Sequence, residues 1–479
     1  MLNIASIIDG QQRTEIENHN TIAVTNPHDG EIIATVICAT LDEVMEAVER
    51  AQYTFKHTML TMPAHERSRI LRNAAQLLEG RKEQFAETIC SEAGKPIIEA
   101  RTEVMRAIQL LLFASEESKR LYGEQIPMDS AIGGEGMLGF AKRVPLGVIA
   151  AITPFNFPLN LVLHKVAPAI AAGNTVVLKP AEKTPLSSIL IHDLFIEAGL
   201  PKGALNIVQG PGVEVVEPLI KHPLVKKVTF TGSGKVGWHL KKLADKTPIT
   251  LELGSNAPNI IFNDANLEHA ASMLTLAGYT FAGQACVSAQ RIYVQREVYE
   301  QFATLLQQKV ESLVVGNPRL ETTQLGPMIS EEAAIRAEKW IQEAVEQGAT
   351  IRTGGERFNR TYLKPTILEN VSASMRVVCE EVFAPLVSLI PFDTEDEVME
   401  LANDSNYGLQ AGIFTTDINR AFRFAEKLEV GGVWINESSV RRYDHMPYGG
   451  IKESGTGKEG IRYAIESMSN LKFIGVKLI

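Results

Sequence analysis

The chain has 479 residues, 45% hydrophobic and 22% charged, a length that exceeds one compact core and predicts two or three soluble globular domains. Its 47 Lys and Arg against 57 Asp and Glu give a net charge of −10 and exclude the broad basic face that nucleic acid requires. The 4 cysteines are far apart and form no CxxC pair, which excludes a disulfide framework and a structural zinc site and predicts a reducing, cytoplasmic setting with no metal.

The opening "MLNIASIIDG" lacks the basic start and long apolar stretch of a signal peptide. To about residue 120 the chain reads as mostly helical, with apolar residues at helical spacing in "LDEVMEAVERAQYTF" and "RSRILRNAAQLLEGRKEQFAETI". "EQIPMDSAIGGEGMLGFAKRVP" (124–145) breaks that pattern, and its glycines predict a hairpin or an extended arm. From Val144 to Leu163 there are 20 residues without a charge. Pro145, Pro154, Pro158, Asn156 and Asn160 interrupt them, so a buried strand, a turn and a helix start are expected, not a membrane span.

A regular alternation follows. "GVIAAI" (147–152), "NTVVLKP" (174–180), "ALNIVQG" (204–210), "KKVTFTG" (226–232) and "ITLELG" (249–254) read as strands, with helical text such as "PLSSILIHDLFIEAG" between them. This predicts a parallel sheet covered on both faces, with a nucleotide site at the carboxyl ends of its strands. A second α/β unit, 255–444, would use "RIYVQ", "ATIRTGG", "LVSLIPF", "GIFTT" and "GVWIN" as strands, and "EEAAIRAEKWIQEAVEQG" and "TEDEVMELANDS" as helices. The tail "NLKFIGVKLI" (470–479) reads as a strand that must pair with another sheet edge, for instance in a partner subunit.

Several residues invite chemistry. "GSGKVG" (232–237) follows a strand, opens a helix and fits G-x-G-x-x-G, with Glu252 20 residues past Gly232, where a ribose-binding acid would stand. A structural glycine turn reads the same way. Cys286 lies among the small and polar residues of "FAGQACVSAQR"; a lone thiol is otherwise a small buried hydrophobe. Glu252 in "LELGSN" and Glu381 in "CEEVFAP" read equally as capping or surface acids, and Asn156 in "TPFNFP" as a turn asparagine.

Taken together, "TPFNFPL", "KPAEKTP", "FTGSGKVG", "LELGSNAP", "FAGQACVSAQR", "EEVFAP" and "MPYGGIKESGTGKEG" resemble the aldehyde dehydrogenase superfamily, in order and over nearly the whole chain. The overall look is nearest its lactaldehyde-like branch. The resemblance implies an α/β fold with a Rossmann-type cofactor domain (1–123 and 146–254), a catalytic domain (255–444) and a small β oligomerisation arm (124–145 and 470–479). Residues 445–469 would return to the cofactor domain. It also implies a homodimer or homotetramer and no membrane.

By the same resemblance Cys286 would be the nucleophile and Glu252 the general base, in place of the ribose acid. Asn156, with the Cys286 peptide N–H, would stabilise the oxyanion. Lys179 and Glu182 would hold the adenosine ribose; Thr231, Gly232, Ser233 and Gly237 would face the pyrophosphate; Glu381 would hold the nicotinamide ribose, with Phe383 beside the ring. Thr153, Pro154, Phe155, Gly210 and Leu253 complete the expected cofactor contacts. A carboxylate at Glu182 favours a free 2′-hydroxyl, hence NAD, while the neighbouring Lys183 leaves NADP open. Two departures stand out: "ELGGK" is here "ELGSN", with Ser255 and Asn256, and "EEIFGP" is "EEVFAP", with Ala384. Ser255 needs a backbone angle tolerable for a residue with a Cβ.

The expected substrate is a small aldehyde, hydroxylated or anionic. Arg441 and Arg442 in "SSVRRYDHMPYGG" would receive an anionic group, with His164 and His445 as further contacts. A solvated arginine pair and a core histidine are the competing readings. Of the two arginines, Arg441 is weakly favoured for the pocket. Alternatives of other kinds are a CoA-acylating semialdehyde dehydrogenase, a non-phosphorylating glyceraldehyde-3-phosphate dehydrogenase, and a non-catalytic structural protein of the same fold.

Overall fold

The computed structural model describes residues 2–14 and 19–478, so Met1, residues 15–18 and Ile479 of the expected segments lie outside the described residues. Four helices occupy the N-terminal region, the last being α1 (Ile97–Glu117). Pro96 precedes α1, where a missing N–H costs nothing, and its buried face includes Ala100, Val104, Ala107 and Leu111. The expectation of a mostly helical start is corrected at its beginning. Thr21–Thr25 pairs antiparallel with Ile32–Ile37, and Leu2–Ile4 runs parallel to the latter, because "IIATVI" is a β-branched run that buries one face. The single helical text at 67–89 is two helices, Ala64–Gly80 and Lys82–Ala93, parted at Arg81.

The arm comprises β1 (Glu124–Ile126) and β2 (Met137–Pro145), and the chain then enters the first large sheet at β3 (Val148–Ile152). Every residue of β3 is buried, as in a strand covered on both faces. Helix α2 (Asn160–Ala172) is buried on all sides and ends where Gly173 takes a left-handed φ of 91°. The sheet continues with β4 (Thr175–Lys179), β5 (Leu205–Ile207) and β6 (Val225–Thr231). Helix α3 (Gly234–Ala244) leads to β7 (Ile249–Glu252).

The second sheet starts at β8 (Pro258–Ile261), followed by α4 (Leu267–Tyr279) and β9 (Arg291–Gln295). Strands β10 (Thr350–Thr353), β11 (Thr366–Glu369), β12 (Leu386–Phe392), β13 (Gln410–Phe414) and β14 (Gly432–Ile435) complete it. The chain then returns. β15 (Gly455–Thr456) pairs antiparallel with β7, and β16 (Ser469–Lys477) pairs with β2.

The first sheet has the order β15-β7-β6-β3-β4-β5 and is extended by Ile7–Ile8 and Gln11–Gln12. Strands β3 to β7 within it are parallel. Successive strands run β3-β4-β5 to one side and β6-β7 to the other, so the order reverses next to β3. In open α/β sheets such a reversal opens a crevice at the strand ends. The second sheet has the order β10-β11-β12-β9-β8-β13-β14, with only β10 antiparallel. Its β8 and β11, of four residues each, were not read from the sequence.

The tail finds its edge within its own chain. β16 pairs with β2 from Ser469–Pro145 to Lys477–Met137, a sheet edge of the kind its sequence asked for. Leu138, Phe140, Leu471 and Phe473 of this three-stranded arm remain exposed. No described helix is long and apolar enough to cross a membrane.

Candidate active site

Four parallel strands deliver side chains to one rim. β4 ends at Lys179, β6 at Thr231 and β7 at Glu252, and Asn156 lies in the turn after β3. The register sets Thr231 beside Glu252, and Ile152 beside both Phe230 and Lys179. Cys286 approaches from the side of the second sheet, after α4. The short turn Thr280–Gly283 puts Phe281 at φ 47° and Ala282 at φ 52°, a left-handed region that costs non-glycine residues energy. Surrounding groups hold that turn. Glu99 accepts the Phe281 N–H at 2.9 Å, Ser288 donates to the Ala277 carbonyl at 3.1 Å, and the Ile329 N–H donates to Gln284 at 2.9 Å. The Asn156 amide donates to the Gln284 carbonyl at 2.9 Å, tying the oxyanion candidate to the thiol loop.

Asn156, Glu252 and Cys286 line one cavity of about 690 Å³. Cys286 Sγ lies 3.0 Å from the hydroxyl of Tyr448. Glu252 is buried with both carboxylate oxygens free of protein partners. A Cβ on Gly449 would come within 2.8 Å of Glu252 Oε1, so glycine there leaves the carboxylate its place.

Burial dominates the electrostatics. It pushes the Cys286 thiol up to about 12, against the pull of the Tyr448 hydroxyl and Arg442, while Glu381 and Glu252 push it further. Burial and the charge of Glu459 raise Glu252 well above the carboxylate range, opposed by Arg442, Lys165 and Lys458. Burial also acts on Glu459, but Lys165 and Arg442 outweigh it and hold that carboxyl well below its usual range. Burial brings Glu381 to about 7, opposed by the Ser255 N–H and by Arg336.

Of the expected cofactor residues, Pro154, Phe155, Thr231, Gly232, Ser233, Leu253, Glu381 and Phe383 line the cavity. Phe155 and Phe383 meet edge to face, 5.9 Å between centroids. Thr153, Lys179, Glu182, Gly210 and Gly237 lie outside its lining, along the same strand ends. The Thr153 N–H donates to the Lys179 carbonyl at 3.1 Å, and Lys179 Nζ donates to Glu182 at 2.6 Å. A Cβ on Gly212, which opens the helix after Gly210, would come 3.8 Å from the same Glu182 oxygen. Gly237 packs under Leu253, whose Cδ2 a Cβ would meet at 2.3 Å. These residues suit a dinucleotide. Ser233 caps α3 without a side-chain hydrogen bond, and a Cβ on Gly234 would meet nothing within 4 Å, leaving the helix N-terminus open to a pyrophosphate. Gly232 cannot carry a side chain, because its Cβ would lie 2.6 Å from the Phe230 ring.

The departures from the usual motifs are accommodated. Neither Ser255 nor Ala384 takes a positive φ. The Ser255 N–H donates to Glu381 at 3.1 Å, and Asn256 bonds the Val378 carbonyl and Ser405.

On the substrate side the two arginines part. Arg442 lines the cavity, with its guanidinium 3.7 Å from the Tyr448 ring centroid, 2.9 Å from Glu459 and 3.0 Å from His164 Nε2. Arg441 lies outside the lining, 45% exposed and paired with Glu437 at 2.6 Å, because neighbouring residues of an extended loop point apart. His164 is buried at the cavity wall, 2.9 Å from Asp444. His445 is exposed outside the lining, its ring 4.8 Å from that of Phe113.

The sequence reading missed Tyr448, Glu459, Lys165 and Arg106. Arg106 lines the cavity from α1 and bonds Asp444 at 2.7 Å; Lys165 bonds Glu459 at 2.9 Å. Glu99, Thr102, Glu103 and Arg106 have the spacing of one helix face, and that signal could have found Arg106.

The chain matches the aldehyde dehydrogenase family over residues 14–474. It is 47% identical to a 3-sulfolactaldehyde dehydrogenase from Priestia aryabhattai, over 98% of this chain and 97% of that protein. A crystal structure of aldehyde dehydrogenase 21 from Physcomitrella patens, in complex with the reaction product succinate, superposes with TM-score 0.96. Identity there is 38%, with 100% of this chain and 99% of that chain covered. A glyceraldehyde-3-phosphate dehydrogenase from Methanocaldococcus jannaschii complexed with NADP gives TM-score 0.92 at 39% identity, covering 96% of this chain and 100% of that one. With the fold, the strand-end rim and these likenesses together, the chain belongs to the aldehyde dehydrogenase family.

Proposed function

We propose that this protein oxidises a small hydroxylated or anionic aldehyde to its carboxylic acid, with NAD as the preferred partner and NADP as a second. The chain is an oxidoreductase acting on the aldehyde group. The observation that carries the finer reading is the convergence of Cys286, Glu252 and Asn156 on one cavity.

The Cys286 thiolate adds to the aldehyde carbon and makes a tetrahedral thiohemiacetal. The Asn156 amide and the Cys286 N–H stabilise its oxyanion. The nicotinamide, when bound against Phe155 and Phe383, supplies the acceptor for the hydride that leaves this carbon. Glu252 then takes a proton from water, the resulting hydroxide attacks the thioester carbon, and the Cys286 thiolate departs from the acid. Its raised proton affinity suits Glu252 to that task. Such a base favours release to water over transfer to CoA.

Arg442 and Arg106 give the substrate end of the cavity its positive groups, while burial and the Arg442 charge favour the neutral form of His164. The names of the sulfolactaldehyde and glyceraldehyde-3-phosphate relatives support an anionic substrate. The test is a panel of 3-sulfolactaldehyde, glyceraldehyde 3-phosphate, lactaldehyde and propanal, read by reduction of NAD and of NADP. A charge-assisted contact is worth about 1.5–3 kcal/mol. Arg442→Gln is therefore expected to raise the KM of the anionic aldehyde about tenfold to a hundredfold relative to that of propanal. Arg441→Gln leaves both unchanged. Equal KM effects on the two aldehydes in Arg442→Gln sink the anionic reading.

The arm supports a further proposal, that copies of the chain assemble as a dimer or tetramer through its exposed apolar face.

A further inference from the structure

Glu459 frames a second relationship at the thiol. Its backbone bridges that of Tyr448, with Tyr448 N–H to Glu459 O at 3.1 Å and Glu459 N–H to Tyr448 O at 2.6 Å. Its carboxylate holds Arg442 at 2.9 Å. One residue therefore fixes both a phenol ring and the guanidinium that lies on it, 3.7 Å from centroid to Cζ. The ring is buried, and its hydroxyl ends 3.0 Å from Cys286 Sγ. No role in the proposed chemistry has yet used this hydroxyl.

We propose that Tyr448 is a catalytic residue: its O–H donates to Cys286 Sγ and favours the thiolate before the aldehyde arrives, while Arg442, stacked on the ring, polarises the phenol. The thiol proton goes to water and Tyr448 keeps its own. When sulfur bonds to the aldehyde carbon, its charge passes to the carbonyl oxygen and the contact from Tyr448 slackens. A cation over an aromatic face draws electron density toward itself and makes the phenol a stronger donor. Burial, with the nearby Cys286 and Glu252, keeps the phenol protonated, so it is a donor throughout the working pH range. The charged groups facing the sulfur are Arg442, Glu381 and Glu252; those facing the phenol are Arg442 and Glu252. Burial, Glu381 and Glu252 oppose the thiolate, and a fixed donor at the sulfur, with Arg442, offsets part of that opposition.

The inference rests on Cys286 being the nucleophile, and its test needs no aldehyde, so the two can fail separately. The readout is the rate of Cys286 alkylation by iodoacetamide at neutral pH, mapped by mass. Tyr448→Phe keeps the ring and its stacking and removes only the donor; 3,5-difluorotyrosine introduced at Tyr448 strengthens the donor at nearly the same size. Alkylation is expected to fall about tenfold in Tyr448→Phe, the scale of one hydrogen bond to a charged group, and to rise several-fold with difluorotyrosine. Any order other than difluorotyrosine above tyrosine above phenylalanine overturns the proposal.

Discussion

The Asn156 side-chain amide donates to the Gln284 carbonyl at 2.9 Å, so the turn after β3 of the first sheet is tied to the loop that carries Cys286 toward the second sheet. Its Oδ1 is buried without a partner. One hydrogen of its Nδ2 thus aligns the thiol loop, and the proposed oxyanion role falls to the second hydrogen of the same nitrogen. Asn156→Ala is expected to lower kcat by about 10²–10³ while the dissociation constant for NAD changes little. Stopped-flow rates and cofactor titration check this, and a fall of less than fivefold removes Asn156 from the oxyanion role.

Cys286→Ala is expected to abolish aldehyde oxidation with the fold and cofactor affinity intact, since no other cysteine lines the cavity. Retained turnover in that variant would refute the covalent route.

Glu252→Gln removes the base at constant shape. A burst of NADH followed by slow turnover is expected, with an acyl adduct on Cys286 visible by mass. The base works only when deprotonated, and its proton affinity is raised by burial and by Glu459. Steady-state rate should thus climb with pH beyond the range where an ordinary carboxylate has finished titrating, and the climb should vanish in the variant. Unchanged steady-state turnover in Glu252→Gln contradicts the assignment.

Glu381 offers a stability test. Burial lifts its carboxyl from 4.5 to about 7, so the folded state favours the protonated form. That contribution is fully present below the ordinary carboxylate range and is lost as pH rises through about 7. Glu381→Gln, which cannot ionise, should gain Tm relative to the parent at pH above that value and show no gain in acid. Calorimetry across pH decides; a gain of equal size at every pH rules out titration as its cause.

The arm predicts association. Light scattering of the 52.6 kDa chain is expected to give a dimer or tetramer at micromolar concentration, and Phe473→Glu on the exposed face of β16 should weaken it. A monomeric parent would count against the arm as an interface.

Much of this was legible because the central strands are unbroken apolar runs next to glycine turns. "GVIAAI" and "NTVVLKP" are buried at every strand position and announced a doubly covered sheet. The N-terminal strands were not told apart from the helical text around them, and β8 and β11 were not read. Cys286, Glu252 and Asn156 stood out through their motif surroundings. Tyr448 was quoted within "MPYGG" yet unassigned, since its partner Cys286 lies 162 positions away and only folding joins them. Between Arg441 and Arg442 the sequence leaned the wrong way: adjacent guanidinium groups look alike in text, and only the backbone decides which one turns inward.

The return of the chain through β15 has a temporal meaning. A ribosome delivers Cys286 well before Tyr448, Gly449 and Glu459, and before the strand that docks on β7 beside Glu252. Until that segment emerges, the nascent polypeptide holds its sulfur without the phenol, and Lys165 lacks the carboxylate of Glu459. The thiol is thus assembled early and completed late, so an incompletely translated chain would carry the nucleophile but not the surroundings that set its reactivity.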